Sequence, residues 1–295
     1  MKMTLTSIIC VLTIALLSVV VFTSCSPNAE KKNETIQITE SANEDVPDAE
    51  TINEWRQAAE QGDADAQYNL GVFYSQDDSV DKDMTEAVKW FRKAAELGHV
   101  EAQFNLALCY AKGEGVDKDT EEALKWHRKA AENGDAISQL NLGICYDNGL
   151  GVDKDIAEAV RWYRKAAEQG NANAQYLLGD CYYEGEGVEK DLEEAVKWYR
   201  KAAEQGNADA QCDLAICYYH GIGVPYDKSE AVKLWRKAAE QGLPMAQYTL
   251  GIRYYNGDGI SKDKSEAIKW FRLAAEQGDE DAIDALKQLG EWNED

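Results

Sequence analysis

The segment Ala-Ala-Glu-Gln-Gly at Ala58 to Gly62 returns, in its Ala-Ala-Glu core and closing glycine, at Gly98, Gly134, Gly170, Gly206, Gly242 and Gly278. Each step is 36 residues. A fixed period in the range of roughly 20–50 residues marks a repeat array, in which each unit leaves an apolar face that only its neighbours can cover. Such a chain grows in one dimension and has no single round core.

One unit, Gly170 to Gln205, holds two helical patterns. The first runs from about Ala172 to Tyr183 and the second from about Leu192 to Glu204, separated by the two-glycine break Gly185-Glu186-Gly187-Val188. An Asp followed three residues later by a Glu opens each second helix: Asp83/Glu86, Asp119/Glu122, Asp155/Glu158, Asp191/Glu194, Asp227/Glu230 and Asp263/Glu266. This predicts a capping box, with Asp accepting from the free N–H groups and Glu reaching back to the Asp N–H. Arg and Lys in the latter half of each second helix and the glycine after it suit a C-terminal end.

In the first helix Ala174, Leu178 and Tyr182 form one stripe at i, i+4 and i+8. Gly179 lies beside it, and Ala107 and Ala215 replace it in two other repeats, which predicts a close approach of the second helix. On the second helix Ala195, Trp198, Ala202 and Ala203 face that approach, so the tryptophans at 90, 126, 162, 198 and 270 are read as core rather than as a ligand box. Leu234 and Trp235 shift this pattern by one residue and predict a local adjustment.

The pattern A-x-Y-x-L-G-x-x-Y…G-x-G-V…D…E-A-x-x-W-Y-R-K-A-A-E-Q-G resembles the Sel-1-like repeat family, a relative of tetratricopeptide repeats with a longer inter-helix loop. The resemblance covers about Thr51 to Gly290. It implies an all-α fold, a right-handed α-solenoid (superhelix) of helix-turn-helix repeats, and a non-catalytic protein- or peptide-binding role. The predicted organisation is about six repeats with capping helices at both ends over residues 51–290, followed by a tail at 291–295. A helix at about Ile52 to Glu60, with Trp55, opens the array, and Asp279 to Leu289 closes it as a lone first helix. The first repeat departs from the pattern: Asp77 and Ser79 stand where later ones have Gly113 and Gly115, so that loop should differ in shape.

The N-terminus is of another kind. Lys2 is the only charged side chain before Glu30, and Leu5 to Phe22 is an almost unbroken apolar run. Residues 1–24 read as a signal peptide. Phe22-Thr23-Ser24-Cys25 resembles a bacterial lipobox, with Phe in the place usually held by Leu, and Cys25 as the lipidation site. Plain secretion and an uncleaved anchor are the alternatives. Residues 25–50 are polar and read as a flexible linker. The expected location is the cell envelope, lipid-anchored to a membrane, with the periplasmic face of the outer membrane favoured.

Acidic side chains number 54 against 31 basic ones, a formal charge of −23 that argues against nucleic acid as a partner. Cys109, Cys145, Cys181 and Cys217 share one repeat position, too far apart for a ladder of disulfides if helices stack at 8–10 Å. With Cys212 they read as packing thiols. His99, His127 and His220 lack metal-ligand spacing, and His127 takes an aromatic packing position. Neither a nucleophile–base–orienter set nor a phosphate-binding loop is visible. Neither an enzyme, a metal nor a cofactor is expected, and the array is expected to be monomeric.

What varies from repeat to repeat is a first-helix stripe three, seven, ten and fourteen residues after the opening glycine. Its candidate partner-binding residues are Asp65, Asn69, Val72, Glu101, Asn105, Asn141, Ile144, Asn173, Asp180, Asp209, Asp213, Ile216, His220, Thr249, Ile252 and Asn256. First helices line the inner face of related solenoids, so the resemblance implies a groove there. Val72, Leu108, Ile144, Ile216 and Ile252 make a broken apolar row, interrupted by Asp180, that suits a peptide. Plain solvent surface and inter-repeat packing are the competing readings of the same residues. A structural or assembly factor of an envelope complex is the second functional reading, and a cell-wall hydrolase or β-lactam-binding protein the third.

Overall fold

The computed structural model describes residues 47–76 and 83–292. The signal segment, Cys25, most of the linker, the Asp77 and Ser79 departure and the last three residues lie outside the described residues. Among those described, every regular element is an α-helix. The chain divides into two compact units after Lys154. The first contains α1 (Ala49–Glu60), α2 (Ala64–Ser75), α3 (Met84–Glu96), α4 (Val100–Lys112), α5 (Thr120–Glu132) and α6 (Ala136–Asn148). The second contains α7 (Ile156–Glu168), α8 (Ala172–Glu184), α9 (Leu192–Glu204), α10 (Ala208–His220), α11 (Lys228–Glu240), α12 (Pro244–Asn256), α13 (Lys264–Ala275) and α14 (Glu280–Leu289). Within each unit, helices adjacent in sequence pack against each other. Helix α1 starts three residues ahead of the predicted Ile52, because the Asp48 carboxylate accepts from the Thr51 N–H at 2.8 Å.

The Ala-Ala-Glu-Gln-Gly turn joins two helices with almost no loop. At the end of α7, the Asn171 N–H donates to the Ala166 carbonyl at 3.1 Å and the Gly170 N–H to that of Ala167 at 3.0 Å, a Schellman closure. Gly170 takes φ +95°, which a side chain would strain. The very next residue, Asn171, caps α8 by accepting from the Ala174 N–H at 2.9 Å. Asp63, His99, Asp135, Asn207 and Asp279 do the same for α2, α4, α6, α10 and α14, a cap that the sequence reading missed, whereas α12 opens on Leu243 and Pro244 with no side-chain cap.

A buried glutamine completes each turn. Gln175 Nε2 donates to the Ala167 carbonyl at 3.0 Å, and Gln67, Gln103, Gln139, Gln211 and Gln247 repeat this bond at 2.9–3.1 Å. Its Oε1 then accepts from the glutamine of the next turn: Gln205 to Gln175 at 2.7 Å, Gln241 to Gln211 and Gln277 to Gln247 at 2.9 Å. Asn133 performs this task for Gln103 at 3.0 Å. The one interruption among the described bonds is in the first repeat. Leu97 occupies the donor's place, is 58% exposed, and the Oε1 of Gln67 is buried without a partner.

Packing follows the small-residue reading. Ala174, Leu178, Ala195 and Ala202 are fully buried. A Cβ placed on Gly179 would meet the Tyr199 ring at 2.7 Å, and one on Gly251 the Phe271 ring at 2.6 Å. In the loop, a Cβ on Gly187 would lie 2.6 Å from the Ile156 carbonyl oxygen, so the second glycine of G-x-G admits the start of the second helix one repeat earlier. The indoles of Trp126, Trp162 and Trp198 are buried as expected, whereas Trp90 and Trp270, in the outer repeats, are half-buried. The ammonium of Lys129, Lys165 or Lys201, one turn on, covers each buried ring at 3.7–4.0 Å. Arg92, Arg164, Arg200 and Arg236 reach forward to the hydroxyls of Tyr110, Tyr182, Tyr218 and Tyr254 at 2.6–3.0 Å.

The capping box is only half formed. Each Asp accepts from the first-turn N–H groups as predicted. The Glu does not reach back, because the N–H of Asp83, Asp119, Asp191, Asp227 and Asp263 already donates to a tyrosine carbonyl of the preceding first helix at 2.9–3.0 Å. The freed Glu pairs instead with a Lys one turn on, as in Glu86–Lys89 at 2.7 Å and Glu194–Lys197 at 2.9 Å. The local adjustment expected at Leu234 and Trp235 is also specific. Both are buried, and Arg253, where inner repeats carry Cys, stacks over Trp235 and Tyr219. Asp258 accepts from Arg253 at 2.7 Å, Lys228 at 2.6 Å and the Tyr219 hydroxyl at 2.6 Å. Lys228 foremost, then the Tyr219 bond, holds this carboxyl down at about 2.

Cys109, Cys145, Cys181, Cys212 and Cys217 are free and buried. Burial pushes the thiols of Cys109 and Cys217 up to about 12, so they pack rather than react. His127 is buried against Ser138, its Nδ1 3.3 Å from Oγ, and burial lowers its pKa to about 4.

Three outcomes follow from these contacts. Leu97→Gln restores the donor for Gln67 and is expected to raise stability by about 1 kcal/mol, read as a higher denaturation midpoint at unchanged slope. Gly179→Ala drives a methyl into the Tyr199 ring and should cost about 1–3 kcal/mol in the same assay. The third concerns pH. An unfolded imidazole titrates near 6.5, whereas folded His127 titrates at about 4. Between these values the unfolded chain holds the extra proton, so His127 lowers stability as pH falls from about 6.5 to 4, by about 3 kcal/mol at most. Phe91 lies against Gly71, and His127 with Ala107 occupies the same repeat positions. The double variant His127→Phe/Ala107→Gly recreates that pair, and unfolding curves across this range should lose the His127 slope.

Candidate partner-binding face

The four variable positions of the first helices fall into graded rows. Three residues after the glycine, Asp65, Glu101 and Asn173 are exposed and Asp209 is half-buried. Seven after, Asn69, Asn105, Asp213 and Thr249 are half-buried. Ten after, Val72, Ile144, Asp180, Ile216 and Ile252 are half-buried, and so is Leu108. Fourteen after, His220 and Asn256 are exposed. An exposed rim at each edge thus flanks two half-buried rows. This gradation follows from helix geometry, since residues three or four apart share a face and the core-facing stripe lies beside the inner rows.

Asn141 departs from that scheme. It is 6% exposed, so it is buried rather than presented on a docking surface. Val72 and Ile252 also serve two faces, packing against the core clusters of their own units. Asn105 hydrogen-bonds with the Tyr68 hydroxyl from the preceding first helix. Part of the variable stripe is therefore inter-repeat contact, one of the readings the sequence left open.

Two polar groupings stand on this face. In the first unit, His99 stacks on Tyr68 with ring centroids 4.4 Å apart and lies 3.4 Å from Asp65 and 3.3 Å from Glu101. Its Nδ1 also accepts from the Ala102 N–H at 3.3 Å, which occupies it as a cap. In the second unit, Asp180 and Asp213 meet two phenols. Tyr199 donates to Asp180 Oδ1 at 2.7 Å, and Tyr176 to Asp213 Oδ2 at 3.1 Å. Burial first, then the charge of Asp213, raises the Asp180 carboxyl well above its usual range. Burial likewise raises Tyr199 and Asp209.

Sequence reasoning singled out neither Tyr176 nor Tyr199 for a role on this face. The signal for such a role was the coincidence of a Tyr at 199, a Gly at 179 and an acid at 180 within one repeat, since the glycine brings the ring alongside the acid. Among the described residues, no group of three or more His, Cys, Asp or Glu side chains is arranged to hold a metal ion. The face can offer carboxylates, amides and aliphatic side chains to a ligand.

A family model for the Sel1 repeat matches residues 64–99, 100–135, 136–171, 172–207, 208–243 and 244–279. The structure is similar to that of a protective antigen of uropathogenic Escherichia coli strains displaying an SLR fold, at 41% identity and a TM-score of 0.75. That match covers 81% of this chain and 51% of the antigen, so this chain spans about half the antigen's length. It is also similar to a Sel1 repeat protein from Oxalobacter formigenes, at 34% identity and a TM-score of 0.64, over 77% of this chain and 97% of that one. No curated protein matches the chain. Sel1-repeat proteins are in general protein-interaction scaffolds. With its helix pairs, its period and all six matched repeats in agreement, the chain belongs to the Sel1 repeat family, whose fold class is the all-α solenoid.

Proposed function

We propose that this protein is a non-catalytic scaffold of the bacterial cell envelope, tethered through a lipidated Cys25 and presenting its first-helix face to a protein or peptide partner. The observation that carries the reading is the aliphatic row of the second unit. Ile216 and Ile252 stand half-buried one repeat apart, with Thr249 beside them and exposed His220 and Asn256 at the edge. An extended partner segment placing apolar side chains on that row and polar groups at the rim suits this arrangement. The acidic surplus keeps nucleic acid away, and the array acts as a monomer. The antigen of Escherichia coli to which the chain is similar is protective, which supports a position in the envelope.

The partner is expected among proteins that co-purify with the full-length chain from membranes and are identified by mass spectrometry. The fourfold variant Ile216→Ala, Thr249→Arg, Ile252→Ala, Asn256→Arg should lose that protein while its helical circular dichroism stays unchanged. Retention at wild-type level would count against the groove. For the tether, Cys25→Ala should move the protein out of the membrane fraction. A variant that stays there would point to an uncleaved N-terminal anchor.

A further inference from the structure

Asp180 occupies a position filled by Val72, Leu108, Ile144, Ile216 and Ile252 in the other repeats. The fold therefore asks for an aliphatic side chain there, and a carboxyl is a cost that packing does not explain. The surroundings deepen that cost. Asp213 faces it from α10, with Asp209 one turn before on the same helix. Tyr176 and Tyr199 contribute hydrogen bonds but no positive charge. Neither α8 nor α10 contains a Lys or Arg. Of the Lys and Arg residues on the first helices of this unit, Lys287 stands on the closing helix α14 and Arg253 is already bonded to Asp258 at 2.7 Å. One oxygen stays unanswered: Asp180 Oδ2 is buried and has no hydrogen-bond partner.

We infer that Asp180, Asp209 and Asp213 form a subsite for a cationic side chain, arginine above all, carried by the partner that docks on the neighbouring aliphatic row. The inference rests on the groove reading and names the chemistry that recognises one position of the docked segment. Half-buried Asp209 and Asp213 form the accessible mouth, with Asp180 behind them. A guanidinium seated there donates to the mouth carboxylates and supplies the charge that lets Asp180 ionise in place. Tyr176 and Tyr199, with ring centroids 6.0 Å apart, hold the acids in position beneath it. Ile216, one turn beyond Asp213, then receives an apolar neighbour of the cation, so the favoured segment pairs an arginine with an adjacent apolar residue.

The test uses the full-length protein and two small probes, Nα-acetyl-argininamide and its uncharged isostere Nα-acetyl-citrullinamide, followed by NMR. Saturable shifts centred on the amides of Asp180, Asp209 and Asp213 are expected with the arginine probe, and at least about ten-fold weaker binding with citrulline. Asp180→Ile, which installs the residue of the neighbouring repeats, should abolish the response while raising thermal stability. The near-isosteric Asp180→Asn guards against a folding defect and should weaken arginine binding to the citrulline level. Equal binding of both probes, an undiminished response in both variants, or no saturable shift would overturn the subsite. The two proposals separate cleanly. Arginine binding with a fourfold groove variant that keeps its partner removes the groove alone, whereas loss of the partner in that variant with no arginine response removes the subsite alone.

Discussion

One buried glutamine per repeat holds the register on which the rest of this array depends. The C-terminus of a helix leaves carbonyls without intrahelical donors, and burying them unpaired costs about 1–3 kcal/mol each. Here only three residues separate one helix from the next, as between Glu168 and Ala172, and a side chain of that next helix answers the buried carbonyl. Gln175 Nε2 answers the Ala167 carbonyl, and its Oε1 is left to accept from Gln205 of the following turn. Each glutamine thus ties the closing turn of the preceding repeat to the closing turn of its own. That tie turns tolerance for a helix pair into a demand for a fixed period. A one-residue insertion within a repeat would rotate the glutamine by about 100° and leave both partners unsatisfied.

The other recurring contacts act across the same seams. Arginine on a second helix reaches the tyrosine of the next first helix, and lysine one turn after tryptophan shields the indole from water. These contacts are exposed or half-exposed and individually modest. Their effect is to engage the positive charge of the repeat on second helices. First helices are left with almost none: Lys112, Arg253 and Lys287 are the only Lys or Arg residues on α2, α4, α6, α8, α10, α12 and α14. The acidic surplus of the chain is therefore uneven, and the face with the variable residues is the face short of cations.

Period, helix boundaries, the steric role of Gly179 and the core place of Trp126, Trp162 and Trp198 were legible in the sequence, because each is a local pattern repeated many times. The glutamine relay was equally periodic, at Gln67, Gln103, Gln139, Gln175, Gln211 and Gln247. It escaped notice because polar residues between apolar ones read as solvent-facing, and a helical period does not say what lies opposite. The capping box misled for a related reason. Asp-x-x-Glu fixes the positions of two carboxylates, but the competing acceptor for the Asp N–H, a tyrosine carbonyl, comes from another helix. The candidate stripe was legible as a set of variable positions and illegible as a surface. Asn141 is buried while its equivalents Asn69 and Thr249 are half-buried, and only three-dimensional neighbours separate them.

Variation within a strict repeat carries two kinds of information, and the physical cost of each substitution tells them apart. Leu97 replaces a glutamine and leaves Gln67 Oε1 buried without a partner, yet Leu97 itself lies largely in solvent. The loss is confined to one hydrogen bond at the N-terminal end of the relay, where no earlier repeat depends on it. Arg253 and Asp258 also break the pattern, but they arrive together with Lys228 and Trp235 and satisfy one another, so their energetic effect closes within the fold. Asp180 does neither. It sits inside the unit, it is approached by further acids, and the hydroxyls around it lower its cost without neutralising it. A substitution whose cost is neither trivial nor compensated internally points outside the chain for its partner, and the first-helix face is where that partner's charge has to come from.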